Sequence, residues 1–487
     1  MTHFFDRQMA IESQDIDYIF HPRSVAVAGV SNELENLVGF TFLKPLMDFG
    51  LIDKIYPLNP KGGEYEGLKI YSALTEIPGH VDHVIIGIPA SLTPQLMREC
   101  VAKDVKAVTL FTSGFSEIQS QDAKRLEDKV LKIARQGGVR ILGPNCMGIY
   151  CPKTGLSFDT GFSKESGPVG FIAQSGGNCI TGIKVANARG IHFSKAISYG
   201  NACDLNECNL LEYLAQDPET EIIIAYIEGV KDGRRFSRVL KETVKTKPVI
   251  IFKGGLGQAG ARSTASHTGS LAGSDKIWDG IIRQAGAIRV YSIDEMLDVA
   301  LAFLHMPAPK GRNIAVIGAG GGASVLAADD CERAGLKVPS LPLEIQSKLT
   351  KFTPEVGSFF KNPVDSQWII HNPEQFADAT IKMISDWEGI DYIILHTALE
   401  MYVTQYFDLQ QTMINKIIDS FLESAKNCPK PTAVTFHPLV SERLQHAVKK
   451  KQQDFSRAGI PVYPSLWNTA NAIAKFIQYH NDDGNGH

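Results

Sequence analysis

Short apolar runs, each closed by glycine, proline or serine and most followed by a helical pattern, recur along the whole chain. No other feature limits its possible folds so strongly. Ser24–Val30 reads SVAVAGV, and KIYPLNP, DHVIIGIP, KAVTLFTSG and VRILGPN repeat the arrangement before residue 150. Runs apolar on both faces belong to strands covered on both sides. TPQLMRECVAKD and DAKRLEDKVLKIARQ, between the later runs, carry the helical period. This alternation predicts a doubly wound α/β domain over residues 15–150. The pattern restarts at PVGFIAQSGGN and continues through HFSKAISYGNACD, EIIIAYIEG and KPVIIFKGG, which predicts a second α/β domain over 151–305. His305–Asn313, HMPAPKGRN, holds two prolines and a glycine and marks a boundary. NIAVIGAGGGASVLAADDCERAG then opens a third domain over 312–480, with DYIILHTALE, KPTAVTFHP and IPVYPS as later strands. The expected fold class is therefore α/β, three doubly wound domains in series, a number that suits 487 residues. Residues 481–487, NDDGNGH, are expected to be a disordered tail.

Ligands of open α/β sheets sit beyond the carboxyl ends of the strands. In the first domain those ends are Gly29 and Ser31, Asn59-Pro60-Lys61-Gly62, Pro89, Ser113-Gly114 and Gly143-Pro144-Asn145, and they are expected to converge on one crevice. The first loop, GVSNELENLVG, lacks GxGxxG, so dinucleotide binding of the ordinary kind is poorly supported. Lys61, beside Gly62 and Gly63, supplies a cation suited to a phosphate. In the second domain, Ser175-Gly176-Gly177 opens a helix expected near Asn178, and a helix start binds anions through free N–H groups and its dipole. The third domain has a comparable turn at Gly320-Gly321-Gly322, so two helix starts are expected to serve one phosphoryl group.

From Gly254 to Ser274 all but five residues are Gly, Ala, Ser or Thr, the exceptions being Leu256, Gln258, Arg262, His267 and Leu271. Such a run builds no core, and it lets backbone N–H groups approach a ligand closely. Within it only His267 can act as nucleophile or base near neutral pH. A flexible linker is the plainer reading, but KPVIIFKGG feeds the stretch and SDKIWDGIIRQAG leaves it, so it is a loop between core elements. Glu228 ends the apolar run Ile222–Ile227 at the same sheet edge, either as a solvated charge or as the carboxylate that orients the imidazole.

The net charge of −4 gives no bulk attraction for nucleic acid or an anionic membrane, and neither is expected as a partner. The first residues, MTHFFDRQMAIESQD, lack the apolar core of a secretion signal, and no apolar run reaches bilayer length. Eight cysteines without a CxxC pair predict reduced thiols, a cytoplasmic location and no structural metal.

SASHTGSLAG around His267, YIEG at Glu228, GPNCMGIY at 143–150, AQSGGN at 173–178 and KNPVDSQW at 361–368 resemble one family. It is the α subunit of NDP-forming acyl-CoA synthetases, in the ADP-forming acetate–CoA ligase branch, with succinyl-CoA ligase α more distant. The likeness runs from about residue 15 to 478. It implies a Rossmann-like CoA-binding domain followed by two flavodoxin-like ligase domains. It also implies that His267 is phosphorylated, that Glu228 is its partner, and that Ser175, Gly176, Gly177, Gly320, Gly321 and Gly322 hold the phosphate. Gly29, Ser31, Asn59, Lys61, Pro89, Ser113, Gly114 and Asn145 fall at or near the CoA loops. The family uses an ATP-grasp domain for ADP or ATP and Mg²⁺, and after residue 312 the chain is accounted for by the third α/β domain. A separate ATP-grasp β subunit is therefore expected, in a heterodimer or heterotetramer, with CoA, phosphate and a small carboxylic acid as substrates. Two rival readings are a CoA-sensing regulatory subunit without turnover and a phosphocarrier without acyl chemistry. His267 and Glu228 count against the first, and a whole CoA-type domain counts against the second.

Overall fold

The computed structural model describes residues 16–31, 37–257, 259–260, 274–319, 321–352, 359–365, 377–404, 407–408, 411–437 and 439–483. His267 and Gly320 lie outside the described residues. Val25–Ala28 (β1), Ile55–Leu58 (β2), His83–Ile86 (β3), Ala107–Leu110 (β4) and Arg140–Leu142 (β5) form a parallel sheet in the order β2-β1-β3-β4-β5. A second sheet takes Gly148–Tyr150 (β6), Ser166–Ala173 (β7), Phe193–Ser198 (β8), Ile222–Ile227 (β9), Val249–Lys253 (β10) and Ile288–Val290 (β11). Its order is β11-β10-β9-β7-β8-β6, parallel except for the β6 edge. The third takes Ile314–Ala319 (β12), Phe359–Phe360 (β13), Val364–Asp365 (β14), Tyr392–Thr397 (β15), Thr432–Phe436 (β16) and Val462–Tyr463 (β17), in the order β13-β14-β12-β15-β16-β17. Again only the edge strand, β13, is antiparallel.

Counted within each sheet, the parallel strands follow one plan, 2-1-3-4-5, which is the flavodoxin-like order. The related βα openings in the sequence have this common architecture behind them. The strands form where the residues demand it: VAVA of β1 and IIIAYI of β9 are buried throughout, and β-branched side chains pack well on a pleat covered on both faces. Helices cover those faces with apolar stripes. In Gln121–Gln136 (α1) the buried positions are Ala123, Glu127, Val130 and Ala134, one face of a helix. Glu207–Gln216 (α2) starts on a capping box in which the Asn206 side chain accepts from the N–H groups of Cys208 and Asn209. No helix among the described residues is long and apolar enough to cross a membrane.

The chain divides into two compact units, one holding the first two sheets up to Ile293 and the other comprising Ala188–Ile191 and everything from Asp294 onward. Packing thus changes hands at 293/294, ahead of the proline-rich 305–313 stretch. The helix Ile293–His305 (α3) belongs to the C-terminal unit from Asp294 onward. Phe303 meets the rings of Phe476, Tyr479 and His480. Asp298, 1% exposed, pairs with Arg189 and accepts from Asn468 Nδ2 at 2.5 Å. Residues 481–483, expected in the tail, close the last helix, which runs Leu466–Asp483. Phe476 and Ile477 are buried on it and His480 stacks on Phe303, which anchors its final turns.

Candidate active site

Because the order of strands reverses at β1, the connections from β1 and β3 leave on opposite sides and open a gap at their carboxyl ends. A cavity of about 420 Å³ fills it, lined by Gly29, Asn59, Pro60, Gly87, Pro89 and, from the helix Thr93–Ala102, Gln95, Leu96 and Glu99. Gly29 has φ +104°, and a Cβ there would lie 2.5 Å from the Gly87 carbonyl oxygen. Only glycine lets the two turns come so close. Asn59 ties the loops: its Nδ2 donates to Val30 O at 2.7 Å, and its Oδ1 accepts from Lys61 N at 3.0 Å. Lys61 itself is exposed, and its ammonium meets no carboxylate among the described residues. Ser31 follows Val30 directly on the same turn.

Of the five loops expected to converge, three line this cavity. The other two, at Ser113-Gly114 and Gly143-Pro144-Asn145, are knit to the second sheet. Glu117 is the hub. Its carboxylate accepts from Gly114 N at 2.5 Å and Phe115 N at 3.1 Å, and from Asn201 Nδ2 at 2.5 Å. Asn201 N donates to Pro144 O at 2.9 Å and Asn145 N to Thr112 O at 3.2 Å. Lys231 Nζ donates to Asn201 O and Ala202 O, each at 2.8 Å. Gly200, φ +57°, makes the junction possible, since a Cβ would stand 2.2 Å from Pro144 O.

The carboxyl edge of the second sheet brings together the Gly176 helix start and Glu228. Helix Gly176–Ala188 begins two residues before the position expected from the sequence, and Ser175 Oγ accepts from Asn178 N at 3.3 Å in its first turn. Glu228 follows β9, which lies between β7, leading to Gly176, and β10, leading to Gly254. It is 6% exposed, so it is not a solvated strand-end charge. Gln174 Oε1 accepts from Glu228 N at 2.8 Å and Gly229 N at 3.0 Å, fixing that backbone. The Tyr226 hydroxyl donates to Glu228 Oε1 at 3.1 Å. Burial and the charge of Glu228 raise the Tyr226 phenol above its ordinary range, while a hydrogen bond with Asn178 opposes them. Gly254 N donates to Ile227 O at 2.9 Å, and a Cβ on Gly254 would lie 2.5 Å from the Tyr226 oxygen. Lys253, fully buried, donates to Gly254 O and sits 5.2 Å from the Trp278 ring, so both stems of the 254–274 loop meet at this residue.

Gln174, Tyr226, Lys253, Glu117 and Asn201 were not singled out from the sequence. Tyr226 carried a signal, because two positions before Glu228 on a strand is the same face. Glu117 and Asn201 carried none, since their roles depend on which loops become neighbours.

In the C-terminal unit, helix Gly321–Arg333 follows β12. A Cβ on Gly318 would stand 2.4 Å from His396 Nε2, so glycine is required beside that imidazole. His396 is fully buried, and burial, with His437 adding to it, pushes its pKa down to about 3. Asp365 Oδ2 lies 3.1 Å from where a Gly321 Cβ would be, so this helix start already faces a carboxylate. No group of three or more His, Cys, Asp or Glu among the described residues is arranged to hold a metal ion.

Known proteins show the same combination. Residues 23–152 match the family described as CoA binding domain, and residues 166–303 match the succinyl-CoA ligase like flavodoxin domain. The acetate–CoA ligase [ADP-forming] I subunit alpha of Pyrococcus furiosus is 40% identical over 95% of this chain and 97% of its own length. Acetate–CoA ligase [ADP-forming] II of Archaeoglobus fulgidus is 33% identical over 96% of this chain but only 67% of its own. The dinucleotide forming acetyl-coenzyme A synthetase 1 of Ca. Korarchaeum cryptofilum, solved in complex with phosphate and ADP, superposes with a TM-score of 0.81 at 28% identity, covering 96% of this chain and 97% of that one. The chain therefore belongs to the α-subunit family of ADP-forming acyl-CoA synthetases, and is a subunit of an acid–thiol ligase.

Proposed function

We propose that this chain carries the acyl and histidine steps of acyl-CoA + phosphate + ADP ⇌ carboxylic acid + CoA + ATP. The observation that supports this best is Glu228: a buried carboxylate between the Gly176 helix start and the stem of the loop that contains His267. A phosphate oxygen attacks the thioester carbonyl, the C–S bond breaks, and the thiolate leaves and takes a proton, giving an acyl phosphate. An imidazole nitrogen of His267 then attacks phosphorus in line, and the P–O bond breaks to release the carboxylate. Glu228 accepts a hydrogen bond from the other ring nitrogen and stabilises the charge that the imidazole gains. Ser175, Gly176 and Gly177 supply helix-start N–H groups to the phosphoryl oxygens. Gly321 and Gly322 are assigned the same task in the C-terminal unit, as Gly320 is by sequence. CoA lies along Gly29, Ser31, Asn59, Lys61 and Pro89, with Lys61 on a phosphate, and its thioester end is assigned to the Ser113, Gly114 and Asn145 loops.

Phosphohistidine finally passes its phosphoryl group to ADP on an ATP-grasp β subunit, where Mg²⁺ neutralises phosphate charge, in a heterodimer or heterotetramer. The Pyrococcus furiosus relative, named a subunit alpha and matched over 97% of its own length, supports a partner subunit. Eight cysteines outside any disulfide suit the cytoplasm. Relatives named for acetate make a small monocarboxylic acid the first substrate to assay.

The test is labelling of the full chain without its partner. It should take phosphate onto His267 from acyl-CoA and labelled phosphate, as an acid-labile and base-stable adduct, and none from γ-labelled ATP until the partner is added. His267→Ala should abolish labelling while CoA still binds. Labelling of the folded lone chain by ATP, or ATP synthesis by the His267→Ala complex, would overturn the reading.

A further inference from the structure

The loop that joins the first two sheets brings one side chain to the Gly176 helix start. Met147 N donates to Ser198 Oγ at 3.1 Å, which fixes its backbone at the carboxyl edge of the second sheet. Its side chain lies on Gly176: a Cβ there would be 2.8 Å from Met147 Cγ and 3.7 Å from Sδ. Gly176 is therefore glycine for the sake of this contact. Behind Met147 is a recess walled by Phe42, Leu46, Ile85 and Phe158, with a room of about 10 Å³, no more than one water needs. Its polar spot is the pair His83 Nε2 and Thr109 Oγ1, 2.8 Å apart. Buried and neutral, with its pKa down at about 4, His83 leaves Nδ1 without a partner among the described residues.

We propose that Met147 sets the length of the acyl chain, standing between the helix start that holds the phosphoryl group and the apolar recess that a longer chain would enter. The inference rests on the acyl-transfer reading above. An acyl phosphate whose phosphoryl oxygens are held at the Gly176 N–H groups has Met147 as the next surface its tail meets. A methyl or ethyl tail packs against the thioether, whereas a longer one must displace it. Methionine is unbranched and adaptable, so the recess is closed by a side chain and not by backbone. The substrate class is short monocarboxylic acids, and truncating Met147 to alanine removes Cγ, Sδ and Cε from the path of a longer tail.

The experiment compares wild type, Met147→Ala and the volume-conserving Met147→Leu, each as the complex with the nucleotide-binding partner, on straight-chain acids from acetate to octanoate. Wild type and Met147→Leu should lose kcat/KM steeply as the chain lengthens. Met147→Ala should move the optimum to longer acids, with the long-to-short ratio rising about fourfold for each methylene newly buried, the equivalent of ~0.8 kcal/mol. Calorimetric affinities of the chain for acetyl-CoA and hexanoyl-CoA provide the same ratio without turnover, so a variant that folds but assembles poorly still reports. If Met147 only seals the junction between sheets, Met147→Ala weakens every acid and acyl-CoA by one common factor. A ratio within twofold of wild type in both assays would overturn the proposal. A wild type that turns over no acid would refute the acyl-CoA synthetase function itself, and the acyl-CoA affinity ratio would still report on Met147.

Discussion

Lys253→Met should stabilise the N-terminal unit at neutral pH and lose that advantage in alkali. The ammonium of Lys253 has no carboxylate within ion-pair reach among the described residues, only the Gly254 carbonyl and the face of Trp278. Burial lowers its pKa from 10.5 to about 8, although the charge of Glu228 pulls the other way. Between those two pH values the unfolded chain holds a proton that the folded chain has released, so stability rises with pH across the window. Below it both states are protonated, and the fold bears the whole cost of the buried charge. The fall from 10.5 to about 8, at about 1.36 kcal/mol for each tenfold change in affinity for the proton, gives a cost of about 3 kcal/mol at pH 7. Methionine keeps the stem's apolar packing but forfeits a hydrogen bond worth about 1 kcal/mol. The variant should therefore be more stable by about 2 kcal/mol at pH 7 and about 1 kcal/mol at pH 9, with no difference near pH 10. Urea transitions followed through Trp278 fluorescence report on this unit, because the tryptophans at 368, 387 and 467 belong to the other. A difference that does not change with pH, or a variant less stable at pH 7, would refute the reasoning. So would a Lys253 Nζ resonance that titrates above pH 10.

Glu228→Gln should slow phosphorylation of His267 by about 10²-fold or more and leave CoA affinity within twofold; rapid-quench labelling and calorimetry measure the two separately, and equal losses would make Glu228 a folding residue. Lys61→Ala should weaken CoA binding more than about tenfold, the value of a charge-assisted contact of roughly 1.5–3 kcal/mol, and unchanged affinity for desulfo-CoA would leave it an ordinary turn residue. Gly200→Ala, with φ +57° and a Cβ aimed at Pro144 O, should cost the N-terminal unit about 2 kcal/mol or more in a urea melt; a loss under about 0.5 kcal/mol would mean that the junction yields easily.

What could be read without coordinates was whatever depends on local pattern. β9 and the Gly176 helix were legible because apolar runs and small-residue turns are short-range signals. The packing of the helix Ile293–His305, which from Asp294 onward clusters with the C-terminal unit, was not legible, since proline marks where a chain bends and not which surface a helix packs upon. The parting of the five loops was equally hidden. Nothing in Ser113-Gly114 says that Glu117 will bind it to Asn201, because that pairing spans 84 residues. Lys253 was not singled out, because its importance lies in being fully buried, which depends on what packs over it.

The link between the first two sheets has a consequence for recombination. β5 ends at Leu142 and β6 begins at Gly148, so the chain enters the second sheet almost at once. The CoA-binding family match extends to residue 152 and so contains β6, an edge strand of the neighbouring sheet. A chimera crossed over at 152 would import a foreign edge strand for β8, and an excised module ending there would carry β6 as an orphan. The remainder would expose β8 as an open edge, a template for aggregation. Crossovers meant to exchange CoA modules among relatives belong in the five residues Gly143–Met147, and there they must preserve the fit of Gly200 against Pro144.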